Sequence, residues 1–153
     1  GLAADPDRPE LIYRQDHSGV YRTADGGDSW ERIEEGLPAN FGFPIAIDPH
    51  TRALFVIPQE SDEYRMTPDG RLGVYRSDDG GNSWGLVKDG LPQDRVHTGV
   101  LRGAMATDGM DPCGFYFGTT SGSFHTSADG GASWNTLPWE LPRILSVDVL
   151  EAG

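Results

Sequence analysis

The string "GVYRTADGGDSW" at residues 19–30 returns as "GVYRSDDGGNSW" at 73–84 and as "SFHTSADGGASW" at 123–134. The copies align as Thr23-x-Asp25-x-Gly27-x-Ser29-Trp30, Ser77-x-Asp79-x-Gly81-x-Ser83-Trp84 and Ser127-x-Asp129-x-Gly131-x-Ser133-Trp134. Such a string repeats either a structural unit or a binding site. The residue types favour the unit. An Asp side chain accepts hydrogen bonds from main-chain N–H groups across a turn. Paired glycines permit positive φ there. The hydroxyls satisfy further polar groups, and the Trp anchors the strand that leaves. No group is left over for chemistry.

The three Trp residues lie 54 and 50 positions apart, and each is followed seven residues later by a Leu-Pro pair: Leu37-Pro38, Leu91-Pro92 and Leu141-Pro142. An Asp-Pro precedes each box, at Asp5-Pro6, Asp48-Pro49 and Asp111-Pro112. Between Asp-Pro and box lies a short apolar run: "LIY" 11–13, "ALFVI" 53–57 and "GFYF" 114–117. These runs are short, rich in aromatic and β-branched residues, and bounded by Gly, Pro, Asp and Asn, so they read as strands. Four strands per unit follow, at 43–47, 53–57, 73–77 and 83–87 in the middle one. Tandem four-stranded units of this length predict an all-β chain: a β-propeller segment of three antiparallel blades. The expected blades are 1–35, 42–89 and 97–137, in one partial propeller domain spanning 1–153. The alternating "ILSVDVL" at 144–150 is expected to be a closing strand.

The boxed motif is similar to the Asp-box, or bacterial neuraminidase repeat. The chain resembles Asp-box β-propellers: sialidases, oligoxyloglucan-type glycoside hydrolases, the Vps10/sortilin propeller and a photosystem II assembly factor. "GLPANFGFPIAIDPH" (36–50), "DEYRMTPDGRLGVYRS" (62–77), "LRGAMATD" (101–108) and "GFYFGTT" (114–120) resemble prokaryotic exo-α-sialidase-like and glycosyl hydrolase repeat proteins. The resemblance covers essentially the whole chain and implies the C-terminal half of a longer propeller. It also implies that the box sits at the turn between third and fourth strands, away from the ligand face, as a marker of the fold.

Composition narrows the partners. Formal net charge is -12, with one Lys (Lys88) among twelve basic residues, which argues against nucleic acid and anionic membranes. No apolar run reaches transmembrane length. Cys113 is the only cysteine, so no intrachain disulfide forms, and a cytoplasmic rather than secreted location is expected. The boxes lack the alternating oxygen ligands of a calcium loop, so no metal is expected there, and nothing calls for a cofactor.

Propeller ligands gather at the mouth of the central channel. The loops that reach it are "RQDHS" 14–18, "PQESDEYRMTPDGR" 58–71 and "TTSG" 119–122, with the connections around 34–42, 88–98 and 137–143. The middle unit runs 36 residues from its Asp-Pro Asp to its Trp, against 25 and 23 in the others. The excess is the insertion "ESDEYRMTPDG", and long loops on a regular scaffold carry function. Ligand-face candidates are His17, Glu60, Asp62, Glu63, Tyr64, Arg65, His97, Arg102, Trp139 and Arg143. Each also has a structural reading: exposed loop histidines, a solvated acidic loop, an arginine paired with a carboxylate, and a Trp139 that is either a sugar platform or a further core contact.

The sialidase resemblance implies three arginines on a substrate carboxylate, a Tyr–Glu nucleophile pair and an Asp acid–base. The Arg-Ile-Pro segment of that family is missing, and "FPIA" at 43–46 has no Arg. Glu60, Asp62, Glu63 and Asp69 offer carboxylates for another glycosidase, but nothing in the sequence selects a pair. The expectation is a non-catalytic propeller binding a small molecule, glycan or protein at the channel mouth. The alternative is a glycoside hydrolase completed by an absent N-terminal half. Missing N-terminal blades or self-association are expected to cover apolar faces of the first and last blades.

Overall fold

A computed structural model describes residues 1–150. Twelve strands form three four-stranded antiparallel sheets, each a simple meander. The first holds β1 (Leu2–Ala4), β2 (Ile12–Asp16), β3 (Gly19–Thr23) and β4 (Glu31–Arg32). The second holds β5 (Phe41–Ile47), β6 (Leu54–Gln59), β7 (Val74–Ser77) and β8 (Gly85–Val87). The third holds β9 (Met105–Thr107), β10 (Phe115–Gly118), β11 (Phe124–Ser127) and β12 (Asn135–Thr136). The all-β propeller segment of three blades is the observed fold. The first strand of each sheet lies innermost, where β5 meets both β1 and β9.

Each box closes the turn between third and fourth strands. In the middle copy Ser77 Oγ donates to Asp79 Oδ1 (2.8 Å), Gly81 N–H donates to Ser77 Oγ (2.8 Å), and Ser83 N–H donates to Asp79 Oδ1 (2.9 Å). The same bonds recur around Asp25 and Asp129. Hydrogen bonds from the Ser83 hydroxyl, the Ser83 N–H and the Ser77 hydroxyl hold the Asp79 carboxyl down to about 2. These carboxylates are consumed inside their own turns.

The other turn at that end is built by an Asp that takes two main-chain N–H groups. Asp5 accepts from Asp7 and Arg8, and Asp48 accepts from His50 and Thr51. In the third blade Asp108, not the Asp of the third Asp-Pro, fills this role: Met110 N–H and Gly114 N–H donate to its Oδ1. The loop has the same length as in the first blade, and its Asp-Pro pair falls three positions later, at Asp111-Pro112.

Two seams make the core. Leu11, Tyr13, Val20, Ile33, Leu54, Val56 and Trp84 fill the first. Phe55, Ile57, Leu72, Val74, Phe115, Phe117 and Trp134 dominate the second. Trp84 Nε1 donates across the first seam to the Ile33 carbonyl (2.8 Å). Before each seam a glycine at positive φ lets the next Trp strand approach: a Cβ on Gly36 would stand 2.9 Å from the Trp84 carbonyl oxygen, and one on Gly90 1.7 Å from that of Trp134. The matching position in the third "x-Leu-Pro" is Glu140.

The face of the first blade that looks away from the other two corrects one expectation. Cross-strand rows read Val56–Tyr75–Leu86 in blade two and Phe117–His125–Thr136 in blade three, but Arg14–Tyr21–Arg32 in blade one. Trp30 is half-exposed and lies under Arg14, whose guanidinium carbon is 4.6 Å from the indole and 4.6 Å from the Tyr21 ring. This face is cationic and aromatic rather than plainly apolar.

Candidate functional site at the channel mouth

The hairpins β2–β3 and β10–β11, the long β6–β7 loop and the starts of the inner strands share the end opposite the boxes, because Leu2 pairs with Arg14, Phe41 with Gln59 and Met105 with Phe117. A pocket of about 520 Å³ opens there, lined by Leu2, Arg14, Gln15, Asp16, Ile45, Arg102 and Met105. Inner-strand residues from all three blades form its wall, so it sits on the channel axis. Partial burial raises the Asp16 carboxyl, but hydrogen bonds from Ser18 and the Arg14 charge outweigh this and hold it below the ordinary carboxylate range. Arg14 Nε stands 3.1 Å from Asp16 Oδ2.

On the rim, Phe41 and Phe43 meet edge to face with ring centroids 5.1 Å apart, and the exposed His17 ring lies 5.1 Å and 5.3 Å from them. The Arg65 guanidinium lies 5.5 Å from the Phe43 ring and that of Arg102 5.7 Å from the same ring. Arg65 also bonds Asp62, while Arg102 forms no ion pair among the described residues. The two arginines therefore approach one ring from different loops, one from the middle-blade insertion and one from the connection into blade three.

Of the sequence candidates, the fold brings together His17, Arg65 and Arg102, with Asp62 held by Arg65. Glu60 and His97 lie elsewhere on the same end, in a second pocket of about 360 Å³ that Pro38, Met66, Pro68 and Asp69 also line. Glu63, Tyr64, Trp139 and Arg143 are exposed and line neither pocket. Trp139 is 62% exposed, so it is not a core contact. Sequence reading brings the 14–18 loop to the mouth but singles out only His17 from it, passing over Arg14, Gln15 and Asp16, and it misses Phe41 and Phe43. "FGF" was legible as alternating aromatics, but at the start of an apolar strand that pattern reads as core. Among the described residues, no group of three His, Cys, Asp or Glu side chains gathers as a metal ion requires.

Three meandering sheets around an axis, with a lined pocket at the end away from the boxes, define a β-propeller arc. No protein-family model matches the chain, and a comparison with curated proteins gives no match. Among solved structures, an ancestral GH74 enzyme superposes with a TM-score of 0.66 over 88% of this chain at 20% identity, and the chain spans 18% of that enzyme's length. The intramolecular trans-sialidase from Ruminococcus gnavus, in complex with oseltamivir carboxylate, matches over 86% of this chain and 27% of its own at 22% identity and a TM-score of 0.45. YCF48 bound to D1 peptide matches over 83% of this chain and 49% of its own at 19% identity and a TM-score of 0.32. The superposition on the GH74 enzyme agrees with the β-propeller fold expected from the sequence.

Proposed function

We propose that this chain is the recognition part of a β-propeller and binds an anionic ligand at the channel mouth without catalysing its conversion. The observation that carries this reading is the pair Arg65 and Arg102, exposed and within 5.7 Å of one Phe43 ring, beside His17. Stacking on an aromatic ring holds a guanidinium while leaving its N–H edge available to a carboxylate, sulfate or phosphate, and Arg102, which forms no ion pair among the described residues, offers that edge, whereas Arg65 shares its Nε and Nη2 with Asp62. The carboxylates around this site support binding over hydrolysis. Asp16 is engaged by Ser18 and Arg14, and Asp62 by Arg65. A glycosidase of the usual kind needs two working carboxyl groups across the scissile bond.

One observation favours the second reading, glycoside hydrolysis: Glu60 and Asp69 line the same pocket as His97. The test is calorimetric titration of carboxylated and sulfated monosaccharides, with glucose as the neutral control. Arg102→Ala is expected to lower affinity for the anionic sugars about tenfold, the loss of one charged hydrogen bond, with an unchanged thermal melt. Equal affinity in Arg102→Ala moves the site elsewhere. Turnover of an aryl glycoside that vanishes in Glu60→Gln establishes the enzyme instead.

A further inference from the structure

Asp-Gly pairs stand at Asp25, Asp69, Asp79, Asp89, Asp108 and Asp129. Such a pair can rearrange on its own, because glycine has no side chain to shield its nitrogen from the carboxyl group before it. The fold locks four of them. In each box, Asp25, Asp79 or Asp129 is tied by two hydroxyls and a main-chain N–H. Asp108 accepts from the N–H groups of Met110 and Gly114 and from the Tyr116 hydroxyl. The Ser29 and Ser83 hydroxyls hold Asp25 and Asp79 below the ordinary carboxylate range. Burial raises Asp108 and Asp129, but their hydrogen bonds outweigh it, so the neutral acid that reacts is scarce in all four. Asp69 and Asp89 are exposed, and no hydrogen bond or ion pair among the described residues engages either carboxylate. They differ in the glycine that follows. Gly70 N–H donates to the Thr67 carbonyl (3.3 Å), whereas no main-chain bond among the described residues takes the Gly90 N–H.

We infer that Asp89-Gly90 is a modification site, where Asp89 isomerises to isoaspartate and loosens the second seam. The Gly90 nitrogen attacks the Asp89 side-chain carboxyl carbon. The N–H proton and the carboxyl hydroxyl leave as one water, and a five-membered succinimide closes. Water then adds to either ring carbonyl. Breaking the new bond restores aspartate, and breaking the bond to the old main-chain carbonyl leaves the chain running through the side chain. The water released is the water consumed, so no other reactant is needed. The product matters because of where the turn sits. Leu91 N–H donates to the Lys88 carbonyl (2.9 Å), and Trp134 N–H donates to the Asp89 carbonyl (3.0 Å). Gly90, at φ 78°, lies so close that a Cβ would stand 1.7 Å from the Trp134 carbonyl oxygen. Isoaspartate inserts a methylene into the main chain at this contact and displaces the carbonyl that holds Trp134. The first seam has the same turn, with Leu37 N–H donating to the Glu34 carbonyl (3.1 Å) and Gly36 at φ 94°, but Glu35 stands at the reacting position. Its longer side chain must close a six-membered ring at a higher entropy cost, so that seam is spared.

The test is ageing of the 153-residue chain at neutral pH in heavy-oxygen water, folded and in guanidinium chloride, followed by digestion and mass spectrometry. Uptake of heavy oxygen marks each succinimide that opens, and loss of cleavage by an aspartate-specific protease before residue 89 marks isoaspartate. In denaturant all six pairs are expected to react alike. In the folded chain Asp89 is expected to lead Asp79, whose carboxyl is held down to about 2, by roughly tenfold or more, with Asp69 between them. Asp89→Glu copies the turn of the first seam and cannot close the small ring. The aged native chain is expected to melt lower as isoaspartate accumulates at residue 89, and the aged Asp89→Glu chain to keep its melt. A folded chain in which Asp89 reacts no faster than Asp79 overturns the inference, and so does ageing that lowers the two melts alike.

Discussion

The two blade seams follow one plan with different materials. The second is aromatic: Phe55 and Phe115 lie 4.2 Å apart, and Trp134 sits 5.0 Å from Phe117. The first puts aliphatic Leu54 and Val56 with Tyr13, and adds the wholly buried Gln15 packed on Gly42. Glycine at the second seam is also more tightly hemmed, since a Cβ at Gly90 would stand 1.7 Å from the Trp134 carbonyl, against 2.9 Å for Gly36 and Trp84. The same repeat therefore yields a close aromatic joint on one side and a looser, partly polar one on the other. Residues at equivalent rows decide this, and the boxes, which are alike in all three blades, do not.

The largest expected effect comes from truncating each seam at the same row. Phe115 and Leu54 stand at matching positions, since each pairs with the hydroxyl residue that opens its box, Ser127 and Ser77. Both are fully buried. Phe115→Ala is expected to cost about 3–5 kcal/mol and Leu54→Ala about 2–4 kcal/mol, from lost burial plus the cavity left behind. Urea unfolding of both variants checks the order. A Leu54→Ala loss that exceeds that of Phe115→Ala would show that the first seam holds the arc together.

The second seam also carries a pH signature. His125 is fully buried, its ring stacked on Phe117 at 4.7 Å, with Nδ1 3.0 Å from the Thr136 hydroxyl and Nε2 without a partner. Burial pushes its pKa down to about 4. A base depressed in the folded state destabilises the fold in acid, because the unfolded chain takes up its proton first. Stability is expected to fall by about 1.4 kcal/mol per pH unit from the ordinary histidine value toward pH 4, roughly 3 kcal/mol in all. The box carboxylates, whose values are lowered, act below that window, where protonation removes their stabilisation. His125→Phe should flatten the slope between about pH 6.5 and 4 and leave the steeper loss at lower pH. A slope that persists in His125→Phe places the titrating group outside this seam.

How far the sequence could be read depends on what each residue answers to. The boxes were legible because every residue in them meets its own turn: Ser77, Asp79, Gly81 and Ser83 bond one another within seven positions. Strand positions were legible because turn residues fence them. The channel mouth was only partly legible. His17, Arg65 and Arg102 stood out as charged or polar loop residues, yet their company did not, because Phe41 and Phe43 carry the same pattern as a core strand. Which carboxylates were free was also hidden, since Asp62 is claimed by Arg65 and Asp16 by Ser18 only once the loops are closed. The outer face of blade one was misjudged for a related reason. Trp30 repeats Trp84 and Trp134 in sequence, but its indole lies under Arg14 from across the sheet, and cross-strand partners are not sequence neighbours.

The smallest expected effect has the sharpest sign. Gln15 and Gln59 both lie near the ends of their second strands, and both are buried at a seam. Gln59 Nε2 donates to the Val100 carbonyl of the next blade (2.8 Å). Gln15 packs so closely on Gly42 that a Cβ there would stand 2.2 Å from its Nε2, and neither end of its amide has a partner. An unpaired buried amide opposes folding, and a paired one supports it. Methionine has a similar length and no strong polar group, so it separates the two cases. Gln15→Met is expected to stabilise the chain by about 1–2 kcal/mol, and Gln59→Met to destabilise it by about 1–3 kcal/mol because the Val100 carbonyl is left bare. Denaturant melts of the two variants measure this directly. If both substitutions destabilise, the Gln15 amide has a hydrogen-bonding partner in solution, a buried water being the natural one. The first seam would then be closed by polar contacts as fully as the second is by aromatic ones.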